Sequence, residues 1–471
     1  MTALLALAAC SRAPASDPRM VTEWMRTLYG AIRAERLSPP VAARLMVYAS
    51  AALDAGLGAS GSGQPALTGI LNGFPDLPTA ESKRAIDPDL TAIAAERVVL
   101  DSLLQEGLPT TRAAVSQLAD SLAEARVALG IDEEVQANSR DLGRRLGMAI
   151  VHWSRGDGFD STRGRTHQGP KGLAYWVNDA PATVYATQST SGASELVSLS
   201  NPANVMQSSN SSDRGLILSR PKKPGVGIPA VNMAGMSEPF WGTLRPFALK
   251  SWNECPAPAP VSYAEDTASD LYREASEVLK MRSQLTPEQK TIAYYWADNA
   301  GESGTPVGHW VSIAAQIAAA QKLSAAATAR LALATSVAQA DAFISTWGYK
   351  YQFALLRPRT YIRRVLDTLW EPLIPTPPFP EYPSGHSATS AASAEVLTAF
   401  FGDTVAFQDS TGLSIGSAVR SFPSFRAAAH EAGLSRIYGG IHFSYGNLGG
   451  RTVGECVGAK AVERLKVGQT K

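Results

Sequence analysis

Apolar residues recur at helical spacing from Val21 to Leu57, with a break at Ser38-Pro39-Pro40. Prolines lack the amide hydrogen that a helix interior needs, but they suit a first turn. The pattern therefore predicts one helix ending before Ser38 and a second running from about Val41, with Ser38 as its cap. Helical periodicity continues over 87–106, 109–129 and 132–153. It stops between Arg155 and Pro229, where Ser189–Ser212 holds nine serines and Arg220-Pro221-Lys222-Lys223-Pro224 follows. That stretch, about 155–229, reads as a long irregular surface loop. Ala-rich helical patterns resume over 264–282, 286–300, 307–321, 324–351 and 386–401, then over 417–433 and 449–466. No alternating β-branched run is long enough to propose a sheet, and no internal repeat occurs. The expected fold class is all-α.

Composition narrows the function more than the fold. Hydrophobic residues make up 45% of the 471 and charged residues 18%, enough for a large buried core. The formal net charge is +1, which excludes a global electrostatic footprint for nucleic acid. An anion site would have to be a local cluster of cations. The membrane-like stretch is Ala3–Cys10, far shorter than the roughly 20 apolar residues of a spanning helix. It fits the end of a signal region, and Leu7-Ala8-Ala9-Cys10 resembles a bacterial lipobox. The reading is a leader and tether over 1–19, a lipid anchor at Cys10, and export to the periplasm or outer membrane. A chance apolar N-terminus is the alternative. Cys255 and Cys456 then remain, either as one disulfide or as two buried thiols.

Three clusters in the last third carry candidate chemistry. Lys350 precedes Arg357-Pro358 by seven positions, about 700° at 100° per residue, which would put both cations on one helix stripe. Pro383-Ser384-Gly385-His386-Ser387 opens a helical stretch. A hydroxyl, a glycine and unpaired first-turn amides there would cradle an anion, beside an imidazole that titrates near neutrality. Ser435-Arg436-Ile437-Tyr438-Gly439-Gly440-Ile441-His442 could turn tightly at its glycines and bring Arg436 and His442 to one pocket. Each cluster alone has a plain reading: a solvated helix face, a helix cap, a core histidine. Together they offer three cations, neutral donors and two histidines, a set suited to a tetrahedral or trigonal-bipyramidal oxyanion.

In that order the clusters resemble the signature shared by vanadium-dependent haloperoxidases and type 2 phosphatidic-acid/acid phosphatases: K-x6-R-P, P-S-G-H and S-R-x5-H. Ser38–Ala55, Tyr295–Asp298, Gly304-Thr305-Pro306 and Pro377–Tyr382 resemble the bacterial haloperoxidase branch. The resemblance implies two helical-bundle-like halves with long irregular loops, 20–250 and 260–471, the second carrying the site. It implies a vanadate cofactor ligated by His442, with Lys350, Arg357, Ser384, Gly385 and Arg436 on its oxygens and His386 as acid–base. Lys350 would polarise oxygen delivered by hydrogen peroxide, and halide would be oxidised to a hypohalous-acid equivalent that halogenates a small organic acceptor. Trp347 and Phe379 fall where a halide pocket is expected, with ordinary core packing as the alternative. Asp298 is a candidate partner of Arg436, or else a surface carboxylate. An acid phosphatase of the same architecture would instead use His442 as nucleophile on phosphorus and His386 as acid. A third reading is an oxyanion-binding lipoprotein without turnover. The long stretch before Lys350 and the absence of a predicted spanning helix favour the haloperoxidase. One departure stands out. The family often places Asp four residues after the last His, where this chain has Gly446, so another group such as a backbone carbonyl must fix the imidazole tautomer.

Overall fold

The computed structural model describes residues 14–61, 66–81, 84–163, 165, 167–179 and 237–468. The lipobox-like leader with Cys10 and the serine-rich part of the long loop lie outside the described residues. Among the described residues the helices of eight residues or more are α1 Pro18–Ala34, α2 Pro39–Gly58, α3 Pro88–Leu103, α4 Pro109–Val127, α5 Glu133–Arg155, α6 Asp270–Gln284, α7 Pro287–Tyr295, α8 Thr305–Ala320, α9 Ala325–Phe353, α10 Pro358–Val365, α11 Gly385–Phe401, α12 Phe425–Tyr438 and α13 Ser444–Leu465. Proline starts α1 to α4, α7 and α10, where its missing amide costs nothing. Ser38 does precede α2, but its hydroxyl makes no cap bond and instead donates to Glu238 Oε1 at 3.0 Å.

One apolar core runs through α1–α5, α9, α11 and α13. Within it α9 is buried on nearly every side and packs on α2, α11 and α13. The close approach of α11 to α13 is made by Gly450, Gly454 and Gly458, where a β-carbon would collide with Ser384, Ala388 and Ala392. Among the described residues, α2 is long and apolar enough to cross a membrane, which extends the sequence reading beyond Ala3–Cys10. Its apolar stretch is 94% buried in the protein, as expected for a core helix.

The mostly helical expectation holds, with three local corrections. Strands β1 Phe407–Asp409 and β2 Arg420–Phe422 pair antiparallel, with Phe407 opposite Phe422, where no sheet was expected. β2 lies inside the helix predicted over 417–433; Pro423 ends the strand, and Ser424 caps α12 through the Ala427 amide at 3.1 Å. The helix predicted over 286–300 ends at Tyr295, and an irregular segment with positive φ at Asp298 (47°), Gly301 (90°) and Thr305 (61°) follows it. Cys255 and Cys456 form a disulfide, which settles the choice left open by the sequence.

Candidate active site

Lys350 and Arg357 do not share a helix. Pro358 disfavours helical backbone at the residue before it, so α9 ends at Phe353, Ala354 turns left-handed (φ 50°), and Arg357 becomes the N-cap of α10. The break still brings both cations to the same place, fully buried. There they meet the proline-rich segment before α11, the first turn of α11, and the Gly439-Gly440 turn that follows α12. The Tyr382–Pro383 peptide is cis. Gly385, His386, Arg436 and His442 line a cavity of about 60 Å³ together with Asp298, Phe343, Trp347 and Phe379. One water takes roughly 10–15 Å³ by this measure, so the space suits a small polyatomic anion.

The tautomer of His442 follows from its neighbours. Its Nε2 lies 3.0 Å from Arg357 Nη1, and a guanidinium can only donate. Nε2 therefore carries the lone pair, and Nδ1–H donates to Glu381 Oε1 at 2.7 Å. Glu381, fully buried, supplies the carboxylate that Gly446 does not, so the expectation of a backbone carbonyl is corrected. Burial pushes its carboxyl up to about 7 against the pull of Arg357 and Lys350. Oε1 accepts from both His442 Nδ1 and the Phe443 amide (3.2 Å), so the imidazole keeps this tautomer whether or not Oε2 carries a proton. Burial, then the charges of Arg357 and Lys350, hold His442 well below the usual imidazole range, so it is neutral. The backbone carbonyl of Glu381 also accepts from Lys350 Nζ at 2.9 Å, as does that of Pro380.

Ser384 caps α11 with its hydroxyl toward Ser387, and Gly385 stands at the first helical position, where amides have no intrahelical acceptor. His386 follows. Its ring is hydrogen-bonded to the Ala297 carbonyl, and its Nε2 is buried without a hydrogen-bond partner. Burial and the nearby Arg436 keep this imidazole well below its ordinary pKa. Arg436 Nη1 donates to the carbonyls of Trp296 (2.8 Å) and Ala297 (3.4 Å). Asp298 lines the same cavity, but its carboxylate receives Ser303 Oγ at 3.0 Å and contacts His309 Nδ1 at 2.9 Å.

Trp347 and Phe379 pack at 4.9 Å between ring centroids and form the apolar wall with Phe343 and Pro375, Pro377 and Pro378. Lys350 Nζ lies 5.6 Å and 5.1 Å from the Trp347 and Phe379 rings, and Arg357 Cζ lies 4.9 Å from Phe379. The cations thus border the aromatic wall. Sequence reasoning missed Glu381, His309 and Asp409. The signal for Glu381 was available: a lone carboxylate held between Pro380 and Tyr382-Pro383, five residues before His386, in a chain whose expected Asp is glycine.

Residues 330–468 match the family model of the VCPO second helical-bundle domain. The crystal structure of a bacterial vanadium-dependent iodoperoxidase superposes with a TM-score of 0.79 at 29% identity, covering 96% of this chain and 97% of that one. The chain is thus similar to vanadium haloperoxidases, in sequence over residues 330–468 and in fold over nearly its whole length. Holo and apo structures of a bacterial vanadium-dependent chloroperoxidase share the fold, with TM-scores of 0.62 and 0.61 at 16% and 17% identity, covering 91% and 90% of this chain and 93% and 92% of those chains. No match is found by sequence among curated proteins.

The donor set fits the vanadium named for those similar structures. Among the described residues no group of three or more His, Cys, Asp or Glu is placed to hold a bare cation. At the cavity two imidazole lone pairs, His442 Nε2 and His386 Nε2, sit near Arg357, Arg436 and the start of α11. Neutral nitrogens amid cations, with no cluster of carboxylates or thiolates, suit a metal that arrives as an oxyanion. A ligand at His442 Nε2 would replace the bond from Arg357 Nη1, and the same guanidinium would then face the oxygens.

Proposed function

We propose that this protein binds orthovanadate and uses hydrogen peroxide to oxidise halide to hypohalous-acid equivalents, which halogenate small organic acceptors. The observation that carries this reading is the convergence of His442 Nε2, His386 Nε2, Arg436 and the first turn of α11 on one small cavity with an aromatic wall. His442 would ligate the metal through Nε2, with Glu381 holding its proton on Nδ1. Arg357, Arg436, Lys350, Ser384 and the Gly385 amide would hold the oxygens. When bound, vanadate supplies a Lewis-acidic centre that activates peroxide toward halide.

The protein's own groups do the rest. His386 is neutral, its ring held by the Ala297 carbonyl, so Nε2 can take a proton at the cavity and return it. Burial and then the charge of Arg357 hold Lys350 well below the ordinary lysine pKa; an oxyanion in the cavity would favour its charged form, which, anchored on the Pro380 and Glu381 carbonyls, would stabilise developing negative charge on oxygen. Trp347, Phe343 and Phe379 keep bulk water from the small space in which a halide would be stripped of its hydration. Iodide is the first halide to test, because the 29%-identical structure is that of an iodoperoxidase. Purified protein loaded with orthovanadate should consume peroxide only when halide is present, and inorganic phosphate should suppress this by competing for the same donors. Turnover of a phosphate ester without vanadate, and no halide-dependent peroxide consumption, would overturn the reading.

A further inference from the structure

Two groups that face the cavity hang on two adjacent carbonyls. The ring of His386 is bonded to Ala297, and Arg436 donates to Trp296 and Ala297. Those carbonyls lie at the entrance to the irregular stretch between α7 and α8, where Asp298 and Thr305 are both left-handed without being glycine. Such backbone persists only where its surroundings hold it. His309 on α8 supplies the hold. It is buried, with Nδ1 2.9 Å from Asp298 Oδ2 and Nε2 2.7 Å from Asp409 Oδ2. Its ring stacks on Trp296 at 4.4 Å and 17°. Tyr295, the last residue of α7, donates its hydroxyl to the same Asp409 oxygen at 2.6 Å. The ends of α7 and α8 are thereby tied to one carboxylate on β1, which does not line the cavity.

We propose that His309 is a positioning residue for the oxyanion site: clamped between Asp298 and Asp409, it fixes the Trp296 and Ala297 carbonyls that orient the His386 ring and the Arg436 guanidinium. This rests on the vanadate reading for its purpose but not for its geometry. An imidazole with a carboxylate at each nitrogen donates from both and is charged. Burial alone would oppose that charge, and the two carboxylates outweigh it, raising the group to about 10. The clamp therefore stays donor-complete across the neutral range. It also explains why Asp298 lines the cavity with both carboxylate oxygens already engaged.

Two variants test it. His309→Phe keeps the ring on Trp296 and deletes both hydrogen bonds; Asp409→Asn removes one charge outside the cavity. Two readouts are taken without peroxide or halide: the affinity for orthovanadate, and the tautomer of His386 by nitrogen NMR of histidine-labelled protein, assigned with His386→Gln. His309→Phe should weaken orthovanadate at least tenfold and turn one His386 tautomer into a mixture, at unchanged helix content. Asp409→Asn should move both readouts the same way by a smaller factor, and it decides the matter alone if His309→Phe does not fold. Orthovanadate binding within twofold of the parent, together with an unchanged His386 tautomer, would overturn the proposal. If the parent itself binds no orthovanadate, the functional reading falls, and the His386 tautomer still judges the clamp.

Discussion

Glu381 occupies the space that a side chain at Gly446 would fill: a β-carbon built on Gly446 falls onto the Glu381 carboxylate. The two positions are alternatives for the same task, a carboxylate at His442 Nδ1. Gly446→Asp should therefore fail alone, through overpacking and like-charge contact, with a stability loss of about 1–3 kcal/mol and weaker orthovanadate binding. In a Glu381→Ala background the same substitution should recover much of that loss. Thermal unfolding of the two single variants and the double variant gives the coupling, and additive losses would show that the positions are independent.

Glu381→Gln keeps the shape but removes the one negative charge facing Lys350, Arg357 and His442. An amide can present either an acceptor or a donor to Nδ1, so the imidazole is no longer held in one tautomer. Orthovanadate affinity should fall by about 10–100-fold, with a smaller effect on unfolding temperature. An affinity within twofold of the parent would assign the tautomer to Arg357 alone.

Arg357 makes three bonds in different directions: Nε to Phe379 O (2.9 Å), and Nη1 to Ile441 O (2.8 Å) and His442 Nε2 (3.0 Å). A lysine ammonium on a longer stem cannot reproduce this fork. Arg357→Lys should retain the charge yet lose about 10-fold or more in orthovanadate affinity, read by titration without peroxide.

The motifs of this site were legible because they are local: a proline followed by a cap, a glycine at a first helical turn, two glycines at a helix end. The geometry between them was less so. Seven-residue spacing implied a shared helix for Lys350 and Arg357, and one proline overrode that periodicity by forcing Arg357 into extended backbone. Glu381 and Asp409 act on histidines that lie 61 and 100 residues away in sequence, a relation no window of local pattern contains. The β1–β2 hairpin is three residues a side, too short for alternation to register.

The His309 clamp carries a pH signature in stability. Its folded pKa is raised to about 10 from an ordinary 6.5, so its contribution is complete below about 6.5 and is lost as pH rises through 10. Asp409 is shifted the other way: burial would raise it, but the hydrogen bond and charge of His309 hold it well below 3.8, so its share is lost only in acid. Between pH 6.5 and 10 the stability advantage of the parent over His309→Phe should shrink, by at most about 1.4 kcal/mol per pH unit. A difference that stays flat over that range would mean a neutral imidazole. Denaturant titrations at several pH values separate the two.

The Cys255–Cys456 bond spans 201 residues and ties the segment before α6 to α13, the helix that brings Gly446 and Gly450 against the start of α11. Closing so long a loop restricts the unfolded chain strongly, which favours a loss of about 2–5 kcal/mol when both cysteines become serine. The folded site should be spared, because neither sulfur lines the cavity. Cys255→Ser/Cys456→Ser should thus unfold at lower temperature while binding orthovanadate within about twofold of the parent at 25 °C. A large fall in affinity with little change in unfolding temperature would instead make the disulfide part of the site's own architecture.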